Sequence, residues 1–336
     1  MLKVGIIGTG RMGNAHAESL SKLPEVKLSE IYDVNPEKSE AFLKKFPSVS
    51  IMKSAEELVN SPEVELIIIT SPTYCHKEGL LPALKTGKPI FCEKPLCRTR
   101  EDLNELVPLI RNYKNLFAIG YVRRYSPSVI MLKKLIGEGK IGKLICGSVC
   151  CLFGAYRREW GDWFADYDKS GGVMLDMLAH HCDLQNYIAG QPVSVYAQAF
   201  RLPKNLEHPR DYVSCTAVFE GNYISNMECS WLRGGPSDSS MTIYGEKGAL
   251  KVSDKNGLFF YDIGGVETKI DVDDGILGPL QQKITGGMYA TEMAAIVDCV
   301  INHKKPFAGA EDAINAMNFC LGMMESAETG KVVMFK

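Results

Sequence analysis

Long hydrophobic runs are missing from this chain. Stretches such as Leu66 to Ile69 fall far short of the roughly 20 apolar residues that a bilayer demands, so no spanning helix is expected. An excess of one charge is missing too. Lys and Arg number 38 against 40 Asp and Glu, a formal net charge of −2, and no basic cluster is interleaved with aromatics, which argues against a nucleic-acid partner. No C-x-x-C pair occurs among the eleven cysteines, an odd count. The start MLKVGIIG runs directly into a strand pattern and leaves no room for a signal peptide. These absences predict a cytoplasmic protein with reduced thiols. No repeat or low-complexity tract appears. The 336 residues, 46% hydrophobic and 23% charged, suit a globular protein of two domains.

What is present begins at the first turn. Gly8, Gly10 and Gly13 form G-x-G-x-x-G, with Thr9, Arg11 and Met12 between them, directly behind the apolar run Val4-Gly5-Ile6-Ile7. A glycine turn between a strand and a helix lets backbone approach a pyrophosphate and aims a helix N-terminus at its charge. A helix-like segment, Asn14 to Lys22, follows. Asp33 ends the next apolar strand twenty residues after Gly13, where a carboxylate accepts hydrogen bonds from the ribose hydroxyls of an adenosine. It would repel a 2′-phosphate, and no Arg follows at Val34 and Asn35, so NAD is predicted over NADP. Asp33 also stands before Asn35-Pro36 and a helical stretch, where a capping role is the alternative.

Residues 2–121 alternate strands (3–7, 27–32, 48–52, 65–70, 89–92 and 116–121) with amphipathic helical segments such as 99–113. That rhythm predicts a doubly wound parallel sheet of the Rossmann kind, covered on both faces. After residue 122 it changes. A helix at 128–137, a strand at 144–153 and a single helix at 172–188 lead into successive strands with turn signals, among them the hairpin turn Asp254-Lys255-Asn256-Gly257. Helices at 289–302 and 311–329 and a short strand at 332–335 close the chain. The prediction is a dinucleotide-binding domain over 1–122 and a substrate-binding and oligomerisation domain over 123–336, an α+β domain on an open, mostly antiparallel sheet. The uncovered sheet face, including 225–231, predicts a homo-oligomer, dimer or tetramer.

Chemistry is expected at the carboxyl ends of the parallel strands. Ser71-Pro72-Thr73 follows the fourth strand and is expected against the nicotinamide half of a cofactor, with His76 lining the crevice or capping the next helix. Glu93-Lys94-Pro95 follows the fifth. Lys94 there can stabilise a developing alkoxide, Glu93 can orient it or meet the cofactor amide, and a cis bond at Pro95 can set its direction. In Gly171-Gly172-Val173-Met174-Leu175-Asp176-Met177-Leu178-Ala179-His180-His181-Cys182-Asp183, a continuous helix places Asp176, His180 and Asp183 on one face. Removing a hydroxyl proton needs a group of the imidazole type held by a carboxylate, and His180 with Asp176 one turn away can supply it. A metal at His180, His181, Cys182 and Asp183 is not expected, because adjacent ligands on a helix diverge. Arg124 can reach a cofactor or form an ion pair. Tyr156, Arg157, Trp160 and Trp163 precede the Gly171-Gly172 turn and can stack on a sugar or pack inside.

The segments VGIIGTGRMG, TSPTYCH, FCEKPL, GYVRRYSP, GGVMLDMLAHHCDL and AGAEDAINAMNFCLGMMESAETGKVV resemble, in that order, the Gfo/Idh/MocA oxidoreductases. FCEKPL and RRY look most like the inositol dehydrogenases. The resemblance implies an N-terminal dinucleotide domain, a C-terminal domain whose open sheet makes oligomer contacts, and Lys94, Asp176 and His180 as the catalytic group. Asp183 matches a further acidic position. The expectation is an NAD-dependent dehydrogenase that moves a hydride from a secondary alcohol of a cyclic polyol or sugar to nicotinamide C4. An NADP-linked or tightly cofactor-bound enzyme acting on a sugar, amino sugar or nucleotide sugar, and a non-catalytic NAD sensor, are the alternatives.

Overall fold

A computed structural model describes residues 1–153, 162–201, 211–231, 237–272 and 287–335. These divide into two compact units. The first holds 1–125 with 287–314 and the second holds 126–272 with 315–335. The sequence-based division placed 287–314 with the second domain, whereas those residues pack into the first unit.

In the first unit, strands β1 (Leu2–Ile7), β2 (Val26–Tyr32), β3 (Ser50–Ile51), β4 (Leu66–Ile69), β5 (Ile90–Cys92) and β6 (Phe117–Ile119) form one sheet in the order β3-β2-β1-β4-β5-β6, every pairing parallel. Helices α1 (Arg11–Leu20), α2 (Pro36–Lys45), α3 (Ala55–Asn60), α4 (His76–Ala83) and α5 (Arg100–Asn112) connect them. Their starts follow local chemistry. Asn35, Ser54 and Thr99 each accept a backbone N–H of the first turn, a cap whose removal costs about 1 kcal/mol. All four residues of β4 are buried, as a strand covered on both faces requires. Val4, Ile6, Leu20, Ile31, Leu66 and Ile68 share one core with Met293, Ile296 and Val297 of the later helix Gly287–Ile301. That explains why a segment so distant in sequence belongs here: each such side chain taken out of water contributes about 1.5–3 kcal/mol. The strand order reverses between β1 and β4. In an open parallel sheet the ligand crevice opens at that point, beyond the carboxyl ends of the strands.

In the second unit, α6 (Pro127–Gly137) and β7 (Leu144–Phe153) precede α7 (Tyr167–Ser170), α8 (Gly172–Asp176) and α9 (Leu178–Ala189). The strands β8 (Pro192–Arg201), β9 (Asp211–Phe219), β10 (Ile224–Trp231), β11 (Asp238–Gly245), β12 (Gly248–Ser253), β13 (Gly257–Asp262), β14 (Glu267–Ile270) and β15 (Val333–Met334) complete a nine-stranded sheet with β7. Its order is β14-β13-β12-β11-β7-β10-β9-β8-β15, antiparallel except where β7 lies parallel to β10. In β9 the burial alternates, with Val213, Cys215 and Ala217 inside and Ser214 and Thr216 outside. This is the signature of a sheet packed on one face. The hairpin turn at 254–257 is present, with Gly257 at φ +89°. The single helix expected over 172–188 is two helices that meet at Met177.

Candidate functional site

The candidate residues fall in two groups, one in each unit. In the first, three turns leave the carboxyl edge of the parallel sheet. The glycine turn after β1 is pinned from three sides. The Gly8 N–H donates to Tyr32 O, and the Thr70 hydroxyl donates to Gly8 O at 2.6 Å. Asp33 Oδ2 accepts both Thr9 N–H, at 2.7 Å, and the Thr9 hydroxyl, at 3.0 Å. Its Oδ1 accepts Asn35 N–H at 2.9 Å. The cap of α2 is thus Asn35 itself, and Asp33 ties the glycine turn to that helix start. Oδ2 is thereby filled, and Oδ1 keeps one further lone-pair direction for a ribose hydroxyl.

The glycines divide by role. Gly8 has φ +95°, and a Cβ there would lie 2.6 Å from Ser71 N. A Cβ on Gly13 would collide with Gly8 O. Gly10 has nothing within 4 Å of that position, so the turn is open just where backbone must come close to a pyrophosphate. Arg11 and Met12 start α1 beside it, where the helix N-terminus favours an anion. The residues present therefore fit a dinucleotide.

The second and third turns are locked together. His76, buried, has Nδ1 2.8 Å from Pro95 O and Nε2 2.8 Å from Ser71 O. Burial outweighs these carbonyls and the Glu93 charge and holds the imidazole below its ordinary value. The neutral ring donates to one of the two carbonyls. Ser71, Pro72 and Thr73, which lead into α4, are thereby strapped to the turn that carries Glu93 and Lys94, and the Lys94–Pro95 bond is cis. Glu93 is buried. Its Oε1 lies 2.6 Å from His16 Nε2, and its Oε2 accepts Lys94 N–H at 3.1 Å. Burial acts to raise the Glu93 carboxyl, but His16, Lys94 and His76 prevail and hold it below its usual range.

Arg124 is also buried. It donates from Nη1 to Phe307 O and from Nη2 to Asp312 Oδ1, both at 2.8 Å and both within the first unit. A surface groove of about 600 Å³ near Leu84, Pro108 and Tyr113 holds none of the candidate residues.

In the second unit, Asp176 ends α8, half-buried. His180 lies one turn into α9 at 9% exposure, with Asp183 deeper at 1%. His181 faces elsewhere, buried, and neither ring nitrogen has a hydrogen-bond partner among the described residues. The start of α8 depends on Gly171 and Gly172, at φ +71° and +61°, and a Cβ on Gly172 would strike the Asp211 carboxylate. Asp211 in turn accepts a backbone hydrogen bond from Val173. Trp163 stacks on Phe164 with centroids 3.8 Å apart. Tyr156, Arg157 and Trp160 lie outside the described residues.

Sequence reasoning missed Thr9 and Thr70, which hold the glycine turn, His16, which holds Glu93, and Asp211, which holds α8. Only His16 carried a local signal, an imidazole in an otherwise small-residue stretch, Gly13-Asn14-Ala15-His16-Ala17.

Residues 2–121 match the oxidoreductase family with an NAD-binding Rossmann fold, and residues 129–251 match the GFO/IDH/MocA C-terminal domain. The chain belongs to the Gfo/Idh/MocA oxidoreductase family. This family member is similar to the myo-inositol 2-dehydrogenase of Thermotoga maritima, at 30% identity over 57% of this chain and 56% of that protein. It is similar over its whole length to the scyllo-inositol 2-dehydrogenase (NADP(+)) IolW of Bacillus subtilis, at 26% identity over 96% of that protein. Among solved structures, levoglucosan dehydrogenase in complex with NADH shares the fold, with a TM-score of 0.88 at 19% identity over 100% of this chain and 99% of that one. The Gfo/Idh/MocA chain is an oxidoreductase with a dinucleotide-binding domain. No helix among its described residues is long and apolar enough to cross a membrane, and all eleven cysteines are free of disulfides.

Proposed function

We propose that this chain is an NAD-dependent dehydrogenase that oxidises a secondary alcohol of a cyclic polyol or sugar. The observation that carries the reading is the joint placement of Asp33, Gly10 and Lys94 at the carboxyl edge of one parallel sheet. There a ribose acceptor, an open backbone approach and an ammonium follow strands β2, β1 and β5. The names of the inositol and levoglucosan enzymes support a polyol or sugar substrate.

Gly8, Gly10, Arg11, Met12 and Gly13 would hold the pyrophosphate, and Asp33 the adenosine ribose. Ser71, Pro72, Thr73 and Glu93 would border the nicotinamide. NAD supplies the electron-pair acceptor at nicotinamide C4. Lys94 holds the substrate oxygen and favours its alkoxide character. His180 takes the hydroxyl proton, and Asp176 orients the imidazole. The alcohol would become a ketone, its hydroxyl proton passing to His180 and its hydride to the bound dinucleotide. Trp163 offers its ring to the sugar face. Arg124, which also donates to Phe307 and Asp312, would complete the cofactor set. The working form is a cytoplasmic homo-oligomer joined through the open sheet face, where Ile224 and Tyr244 are exposed.

A screen of inositols, aldoses and amino sugars for NADH absorbance tests the substrate class. Replacing His180 with Ala is expected to lower turnover by about 10²–10⁴-fold with NAD affinity kept. Near-normal turnover of that variant on a confirmed substrate would remove His180 from the reaction. The NADP-dependence in the name of the IolW relative favours a second reading, in which NADP is the coenzyme. Parallel titration with both dinucleotides decides, since Asp33 predicts weak binding of NADP.

A further inference from the structure

Behind the Glu93–Lys94–Pro95 turn, the first unit buries a third titratable group. His16 is 0% exposed, Glu93 5% and Glu292 0%, and one ligand atom of each lies within 4.8 Å of the others. Glu292 comes from the helix Gly287–Ile301, which packs against α1, and neither of its oxygens has a hydrogen-bond partner among the described residues. All three side chains are buried, and aromatic rings border them. The His16 ring meets Phe91 edge-on at 5.3 Å and Tyr289 at 6.0 Å. Gly120 completes the wall, since a Cβ there would lie 3.0 Å from Glu93 Oε2.

Two readings of this trio compete. A first-row metal with bonds of about 2.0–2.2 Å keeps neighbouring ligands about 3 Å or more apart. His16 Nε2 and Glu93 Oε1 are 2.6 Å apart, a hydrogen-bond length, so the pair must separate before an ion can enter. The other reading is a proton. Two buried carboxylates this close disfavour double ionisation, and Glu93 already has its partners in His16 and the Lys94 N–H.

We propose that Glu292 enters the fold as the neutral acid and serves, with His16, as a positioning residue for Glu93 and so for the turn from which Lys94 projects. A neutral acid leaves the charge of Glu93 to His16 and to the Lys94 backbone, whereas an ionised Glu292 would push Glu93 away and turn Lys94 off its line. Burial first, and then the Glu93 charge, hold the Glu292 carboxyl well above its usual range. The groups that bear on the trio are few. Lys94 and His76 act on Glu93. The Tyr125 hydroxyl feels Glu292, along with Cys299 and Arg124. The role of Lys94 rests on the dehydrogenase reading above, but the protonation of Glu292 does not.

Four measurements on the full chain test this. Isotope-edited infrared spectra with ¹³C-labelled glutamate are expected to show a protonated-carboxyl stretch at pH 8 that vanishes in Glu292→Gln. Absence of that band, or its persistence in the variant, overturns the proposal. A raised folded-state pKa also means that stability is fully present below the ordinary glutamate range and is lost as pH rises through the folded value. Glu292→Gln is expected to flatten that alkaline decline in Tm, and an unchanged decline counts against the neutral acid. Finally, Glu292→Ala is expected to lower kcat at least about tenfold with the Kd for NAD within twofold, and Glu292→Gln to restore most of it. A fall in Tm with kcat intact would leave Glu292 a packing residue and overturn its positioning role. If Lys94→Ala keeps full kcat in the same assay, the dehydrogenase reading fails while the infrared band still stands. Stoichiometric zinc or manganese in the purified protein, lost in His16→Ala, would replace the proton with a metal.

Discussion

At Gly8 and Gly13 the atoms that exclude a side chain belong to backbone: Ser71 N for one and Gly8 O for the other. At Gly171 and Gly172 they belong to side chains, those of Leu175 and Asp211. Each turn is also clamped by a carboxylate that arrives from a later strand, Asp33 for the first and Asp211 for the second. Backbone tied to the ends of two paired strands has little room to step aside, whereas the far end of a carboxylate or leucine side chain can turn. The glycine turn after β1 is therefore rigid at Gly8 and Gly13, and the turn that launches the proposed acid–base helix is adjustable from its neighbours.

Substitutions at the glycines sharpen or break that contrast. Gly13→Ala drives a methyl into the Gly8 carbonyl, and the expected loss is about 3 kcal/mol or more in a denaturant melt, with no measurable NAD binding. A mild effect there would show the turn to be softer than its hydrogen bonds imply. Gly172→Ala costs about 1–2 kcal/mol for the left-handed backbone, and Asp211 must rotate. Turnover is expected to fall while NAD affinity holds, and an equal fall in both would erase the distinction between the two turns. Gly10→Ala is expected to change stability by less than about 0.5 kcal/mol, because its Cβ meets nothing within 4 Å. Calorimetric titration is expected to show weaker NAD binding all the same, since the methyl takes the space a pyrophosphate needs. Unchanged affinity would move the pyrophosphate elsewhere.

The parts of this molecule that were legible in its sequence are those set by neighbours along the chain. The glycine spacing, the alternation of strands and helices over 2–121 and the hairpin at 254–257 all follow from local backbone preference, and the structure carries them. Boundaries moved where tertiary pairing decides. The third strand is Ser50–Ile51, shorter than the 48–52 expected, because only Glu30 and Ile31 pair with it. The break at Met177 had no signal, since neither Gly nor Pro marks it. The clamps were illegible for a different reason. Thr70, Asp211 and Glu292 act on residues dozens to hundreds of positions away, and nothing local distinguishes a threonine at the end of a strand from any other. Glu292 did leave a trace: a carboxylate within Ala290-Thr291-Glu292-Met293-Ala294-Ala295-Ile296, an otherwise uncharged run.

The helix Gly287–Ile301 supplies Met293, Ile296 and Val297 to the core beneath the first strands, although it is encoded far downstream of them. A ribosome that has released Tyr125 has delivered the whole parallel sheet but none of this wedge. The nascent parallel sheet must then wait, with its apolar slot open, until residues 287–301 have been made. Truncation anywhere before residue 287 leaves that slot unfilled, however intact the glycine turn remains.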